Sequence, residues 1–174
     1  MALQEEITIQ KSVLIKHSQK DLFQIIYNFE NLPLILDFLE NVMLLNTTHS
    51  RWTAKISEEE RITWDVEITR EKEDEFIEWH SSGNTDILHE GTFRFSHIDS
   101  RKGTVLSLLL RFYFPPRDDS KSNMLGEDFE NRIQDNLIRF KQAIEANEFP
   151  RPRQSKKIYP EGLSPNEGSS KFAT

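Results

Sequence analysis

NMLGEDFENRIQDNLIRFKQAIEANEF, residues 123–149, carries Phe129, Ile133, Leu137, Phe140 and Ile144 at steps of four, four, three and four. Those steps draw a single apolar stripe on a helix and predict an amphipathic helix of roughly six or more turns. Asn123 is the expected N-cap, and Glu127 and Asp128 fall in the early turns, where the helix dipole favours anions. Pro150 stops the run. No other stretch supports a helix of this length, and its apolar stripe has to cover something.

What it covers precedes it. From Glu40 onward the apolar period changes to two, which predicts six strands at residues 42–48, 51–57, 61–70, 76–82, 87–98 and 104–114. Short polar connections between them imply an antiparallel meander. Ile62, Trp64, Val66 and Ile68 alternate with Thr63, Asp65, Glu67 and Thr69, the pattern of a half-buried strand. Leu106, Leu108, Leu110, Phe112 and Phe114 likewise share one face of the last strand. Upstream, residues 6–16 form a first strand with Ile7, Ile9, Val13 and Ile15 on one parity. Ser18 then caps a short helix over 19–29, with the Asp21 carboxylate reaching back, and Asn31 caps a second over 32–39 with Pro33 in its first turn. Helices separate the first strand from its sequence neighbour, so it is expected to pair with the last one. The reading is an α+β domain over residues 1–150, a curved seven-stranded antiparallel sheet wrapped around the C-terminal helix.

Composition narrows the function classes. The 174 residues include 29 Asp and Glu against 22 Lys and Arg, for a formal charge of -7, and the acidic residues are scattered. Such a surface disfavours nucleic acid as a partner. No cysteine is present, which excludes disulfides, thiol catalysis and thiolate metal sites. The N-terminal MALQEEITIQ lacks a basic-then-apolar leader pattern, and no apolar run approaches the ~18 residues of a membrane span. A cytoplasmic protein is expected. Residues 151–174 are rich in Pro, Ser and charge and read as a disordered tail.

Element order and particular residues together resemble the START-like superfamily, the helix-grip fold of polyketide cyclase/dehydrase proteins, coenzyme Q-binding proteins and pollen-type plant allergens. The bacterial cyclase/dehydrase branch is the more similar. The residues that carry the resemblance are Phe29-Glu30-Asn31-Leu32-Pro33, Trp52, Trp64, Ile77-Glu78-Trp79, Gly91-Thr92-Phe93-Arg94-Phe95, Gly103-Thr104, Pro115-Pro116 and the segment LIRFKQAIE from Leu137 to Glu145. It covers roughly residues 5–150. What it implies is a cavity between helix and sheet for an apolar molecule such as a lipid, an isoprenoid quinone or a polyketide. It transfers no catalytic motif, no metal and no cofactor.

On that reading the pocket walls are Trp64, Val66, Trp79, Phe93, Phe95, Leu108, Leu110, Phe112, Phe129, Ile133 and Leu137, with access between residues 32–39 and the loop 117–122. His89 shares parity with Phe93 and Phe95, and two benzyl groups favour the interior by roughly 2 kcal/mol each. His89 is therefore expected inside, where it, the two indoles or Tyr27 select polar features of a ligand. His17, His49 and His97 fall at turns or strand ends, and His80, Glu78, Glu90 and Arg94 on the outward parity. Val105, Leu109 and Tyr113 form an outward apolar patch suited to a homodimer contact or to docking of the tail. Two rival functions stay open: an aromatase/cyclase or dehydratase that uses His89 as its titratable group, and an interaction scaffold whose core is filled by its own side chains.

Overall fold

A computed structural model describes residues 5–55, 57–83, 87–98, 103–114 and 128–149. Seven strands form one antiparallel sheet: β1 (Glu5–Ile15), β2 (Leu39–Leu44), β3 (His49–Lys55), β4 (Arg61–Lys72), β5 (Phe76–Ser82), β6 (Leu88–His97) and β7 (Thr104–Phe114). Their order is β1-β7-β6-β5-β4-β3-β2. The first strand does pair with the last, in continuous register from Glu5 opposite Phe114 to Ile15 opposite Thr104. β2 to β7 follow as a meander, each pairing with its sequence neighbour. Helix α1 (Gln19–Tyr27), a 3-10 turn (Phe29–Asn31) and the short α2 (Leu32–Ile35) connect β1 to β2, and α3 (Phe129–Glu145) packs over the apolar face. This is the expected helix-grip arrangement.

Period two holds where it was read. Ile9 and Ile15 are buried with Ile7 and Val13 against the core, whereas Thr8, Gln10 and Ser12 are exposed. Trp64 and Val66 of β4, and Leu106, Leu108, Leu110 and Phe112 of β7, all face inward. On α3 the whole stripe of Phe129, Ile133, Leu137, Phe140 and Ile144 is buried.

Several boundaries differ from the sequence reading, each for a local reason. The described α3 has 17 residues, shorter than expected; the predicted cap Asn123 and the loop 117–122 lie outside the described residues. Asp128 occupies its N-cap without a side-chain hydrogen bond. At the other end the helix stops ahead of Pro150, because Asn147 turns left-handed at φ 56°. The Asn147 N–H then donates to Ile144 O and the Glu148 N–H to Ala143 O, the paired bonds of a Schellman motif. Phe149 folds back edge-on to Phe140, with ring centroids 5.1 Å apart.

Ser18 caps α1 by accepting from the Asp21 N–H, while the Asp21 carboxylate meets His17 instead of reaching back to the cap. Asn31 stands at the N-cap of α2 as expected but makes no side-chain capping bond; its side chain donates to Ile25 O at 2.8 Å and fastens the 3-10 corner to α1. The second helix ends at Ile35, four residues before the predicted end, and β2 starts at Leu39. Between them the Asp37 N–H donates to Asn136 Oδ1 of α3 at 2.9 Å, and the Asp37 carboxylate accepts from Arg132 at 2.9 Å and Arg139 at 3.5 Å. Residues 132, 136 and 139 lie on one helix face, so a single residue is held by three side chains spread over about two turns of α3. The turn after β2 also comes early, since Asn46 Oδ1 accepts the N–H groups of Thr48 and His49 and draws His49 and Ser50 into β3.

The two arginines are exposed and contribute under ~1 kcal/mol each, but Asn136 is buried. Asn136→Ala removes the acceptor of an N–H that has no other partner among the described residues. It is expected to lower stability by about 1–3 kcal/mol in urea unfolding, with the m-value unchanged.

Candidate functional site

β3, β4, β5, β6 and β7 bring their inward residues together near the middle of the sheet, where all three tryptophans of the chain surround one histidine. In the register, Trp52 of β3 is opposite Trp64 of β4. Trp79 of β5 is opposite Gly91, and His89 is opposite Phe112 of β7. His89 stacks on Phe112 with centroids 4.4 Å apart, and Trp52, Trp64 and Trp79 lie at 5.4, 6.1 and 6.1 Å from its ring. Phe29 of the 3-10 turn stands edge-on to both Trp52 and Trp79, and Phe93 lies beside Trp79. From the helix side, Phe129 meets Phe112 and Phe38 edge-on.

Both nitrogens of His89 are engaged. Nε2 accepts from Trp79 Nε1–H at 2.9 Å, which leaves Nδ1 to carry the proton and donate to Arg111 O at 3.2 Å. The ring is wholly enclosed. Burial drives its pKa from 6.5 down to about 3, with the hydrogen bond to Arg111 opposing weakly, so the imidazole is neutral near pH 7. Trp52 Nε1–H donates to Ser50 Oγ at 2.8 Å. The third indole differs, for Trp64 Nε1 is buried with no hydrogen-bond partner among the described residues.

The expected wall residues Trp64, Val66, Trp79, His89, Phe93, Phe95, Leu108, Leu110, Phe112, Phe129, Ile133 and Leu137 are all buried, with at most 3 % of any exposed, in one hydrophobic core. Ring contacts join Trp64, Trp79, His89, Phe93, Phe112 and Phe129 in one assembly. Phe95 lies apart, edge-on to Phe23 under α1. Tyr27 stands outside the assembly too: it stacks on Phe23 and donates its hydroxyl to Glu71 Oε1 at 3.1 Å, and burial together with that carboxylate raises its pKa. The described wall residues pack against one another in that core. The sequence reading gave no pocket role to Trp52, Phe29 or Phe38. Trp52 could have been found from its shared parity with Ala54, whereas Phe29, expected at the end of the helix 19–29, lies in the 3-10 turn, and Phe38, expected inside a helix over 32–39, lies between α2 and β2.

The outward residues behave as polar surface. Glu90 accepts from Arg111 at 3.2 Å and from the Tyr113 hydroxyl at 3.3 Å, Glu78 is met by Arg70 and Arg94, and Glu67 lies between His49 and His80. Val105, Leu109 and Tyr113 are half-buried there, with Ser107 and Arg111 between them. A concavity of about 200 Å³ opens on this outer face among Thr69, Glu78, His80, Glu90 and Arg111. Among the described residues no group of three or more His, Asp or Glu is arranged to hold a metal, and no helix is long and apolar enough to cross a membrane.

Comparison with solved structures finds the same architecture repeatedly. A protein from Deinococcus radiodurans superposes with a TM-score of 0.69 at 22% identity, covering 81% of this chain and 99% of that one. A START superfamily protein from Mycobacterium smegmatis gives 0.61 at 14% identity, covering 79% and 98%. The Zhui aromatase/cyclase from Streptomyces sp. R1128 gives 0.55 at 14%, covering 88% and 100%. At these identities the likeness is one of fold. No curated protein matches the sequence. The family profile described as polyketide cyclase / dehydrase and lipid transport matches residues 15–141, well over half of the sequence, and the chain belongs to that family.

Proposed function

We propose that the protein binds and carries a hydrophobic small molecule, a lipid, isoprenoid quinone or polyketide-like compound, between the sheet and α3. The observation that carries this reading is the aromatic assembly around His89, placed on the inner face of a fold whose family is described by cyclisation and lipid transport. A ligand that buries roughly 500 Å² of apolar surface gains about 12 kcal/mol, and ordering costs of about 4 kcal/mol would leave about 8 kcal/mol, or micromolar binding. The ring contacts among the described wall residues have to part for it.

Carriage is favoured over cyclisation or dehydration. A catalyst of those reactions needs a group that exchanges protons, and His89, with both nitrogens engaged and its pKa near 3, is poorly suited to it. The tight packing of the described interior supports one second reading, an interaction scaffold with a filled core that uses Val105, Leu109 and Tyr113 as its contact or homodimer surface.

Native mass spectrometry of the full chain, after incubation with a mixed extract of lipids and quinones, distinguishes the two. A one-to-one apolar adduct is the expected result. A chain that takes up nothing overturns carriage and leaves the scaffold.

A further inference from the structure

We infer that the ligand carries a neutral hydrogen-bond acceptor, a ketone, quinone or ester carbonyl, which Trp64 Nε1–H recognises. This rests on the proposed interior site and specifies its ligand class. Three observations converge on it.

The first is the unequal treatment of three neighbouring indoles. Trp52 donates to Ser50 and Trp79 to His89, each at 2.8–2.9 Å, whereas the buried Trp64 donor has no partner among the described residues. A folded protein rarely leaves such a donor unmatched, because its desolvation is uncompensated. Trp64 is not stranded at a margin. Its ring lies against both Trp52 and His89 of the aromatic assembly.

The second is what the surroundings lack. An indole only donates, and the His89 lone pair is already taken by Trp79. The buried polar residues among those described are Asn31, Ser50, His89, Thr104 and Asn136, and none carries a charge near neutral pH. A ligand carboxylate or phosphate there would lose its hydration with no cation in return. A neutral carbonyl oxygen is desolvated at far lower cost and finds the free donor.

The third is shape. Flat rings line the assembly, and the His89–Phe112 pair is stacked at an interplanar angle of 26°. Planar conjugated molecules fit between such faces better than branched aliphatic ones.

Fluorenone and fluorene share one planar frame and differ at the carbonyl, so titrating both into the full chain isolates the acceptor. The wild-type protein is expected to bind fluorenone about tenfold tighter, consistent with one added buried hydrogen bond. In Trp64→Phe that preference should vanish: whatever the absolute affinity of the variant, fluorenone and fluorene should bind it equally well. Should the variant fold poorly, the wild type still decides: fluorenone, and not fluorene, should move one of the three indole N–H proton resonances downfield. Equal binding of the two probes, or a preference that survives Trp64→Phe, overturns the inference and leaves the apolar site standing. If neither probe binds, both this inference and the ligand-binding reading fall.

Discussion

Gly91→Ala is expected to cost about 3 kcal/mol of stability, at the upper end of what overpacking does. A Cβ at residue 91 would lie 2.2 Å from Cζ2 and 2.5 Å from Cε2 of Trp79, the residue opposite it in the β5–β6 register. The backbone dihedrals do not demand glycine at this position; space does. A flexible neighbour would swing aside, but this indole is confined by Phe29 at 5.5 Å, Trp52 at 5.8 Å and Phe93 at 5.5 Å, and is tethered through Nε1 to His89. Either the two strands move apart or the whole aromatic assembly shifts. Urea unfolding followed by tryptophan fluorescence measures the loss. Combining Gly91→Ala with Trp79→Leu, which vacates the contested volume, should restore about 1–3 kcal/mol relative to the sum of the single changes. Strict additivity would mean that the clash is relieved elsewhere and that Trp79 is not what requires the glycine.

That contact illustrates what the sequence could and could not convey. Period two placed Trp79, Gly91 and Phe93 on the inner face, because alternation fixes parity without any knowledge of neighbours. The same logic paired β1 with β7, and the stripe on α3 fixed the face that covers them. Register, however, depends on how many residues each turn consumes, and turns were misjudged where a side chain organises them, as Asn46 does before β3 and Asp37 does before β2. Phe29 and Phe38 fall in the two expected short helices, 19–29 and 32–39, and a helical reading of those segments gives no sign that their ends turn toward the tryptophans of the sheet. For the site, parity sufficed to bring His89 indoors. Its role there was not legible, because that depends on which atoms meet: the Trp79 donor on one nitrogen and the Arg111 carbonyl on the other turn an apparent acid-base candidate into a neutral bridge.

The bridge gives His89→Gln an unusual expected result: a variant less stable than wild type at pH 7 and more stable at pH 4. A glutamine amide can accept from Trp79 through Oε1 and donate to Arg111 O through Nε2, so the two buried partners stay satisfied. The loss of packing on Phe112 should then cost about 1–2 kcal/mol near neutrality. In acid the order reverses. His89 has a pKa of about 3 when folded, against an ordinary 6.5 in the unfolded chain. Between those values the unfolded chain binds a proton that the folded protein refuses. The contribution of the neutral ring is therefore complete above pH 6.5 and is lost progressively as the pH falls toward 3, by on the order of 5 kcal/mol in all at 1.36 kcal/mol per pKa unit. Glutamine has no such penalty. Carboxylates such as Glu40 and Glu145, which Arg61 and Lys141 hold below the usual range, titrate in both proteins and cancel in the comparison. Stability measured by urea unfolding at intervals from pH 7 to pH 4 should give two curves that cross, with wild type falling more steeply. Parallel curves would mean that His89 takes up its proton in the folded state, that Trp79 has released Nε2, and that the interior holds a group able to exchange protons after all, which would return the cyclase reading to first place.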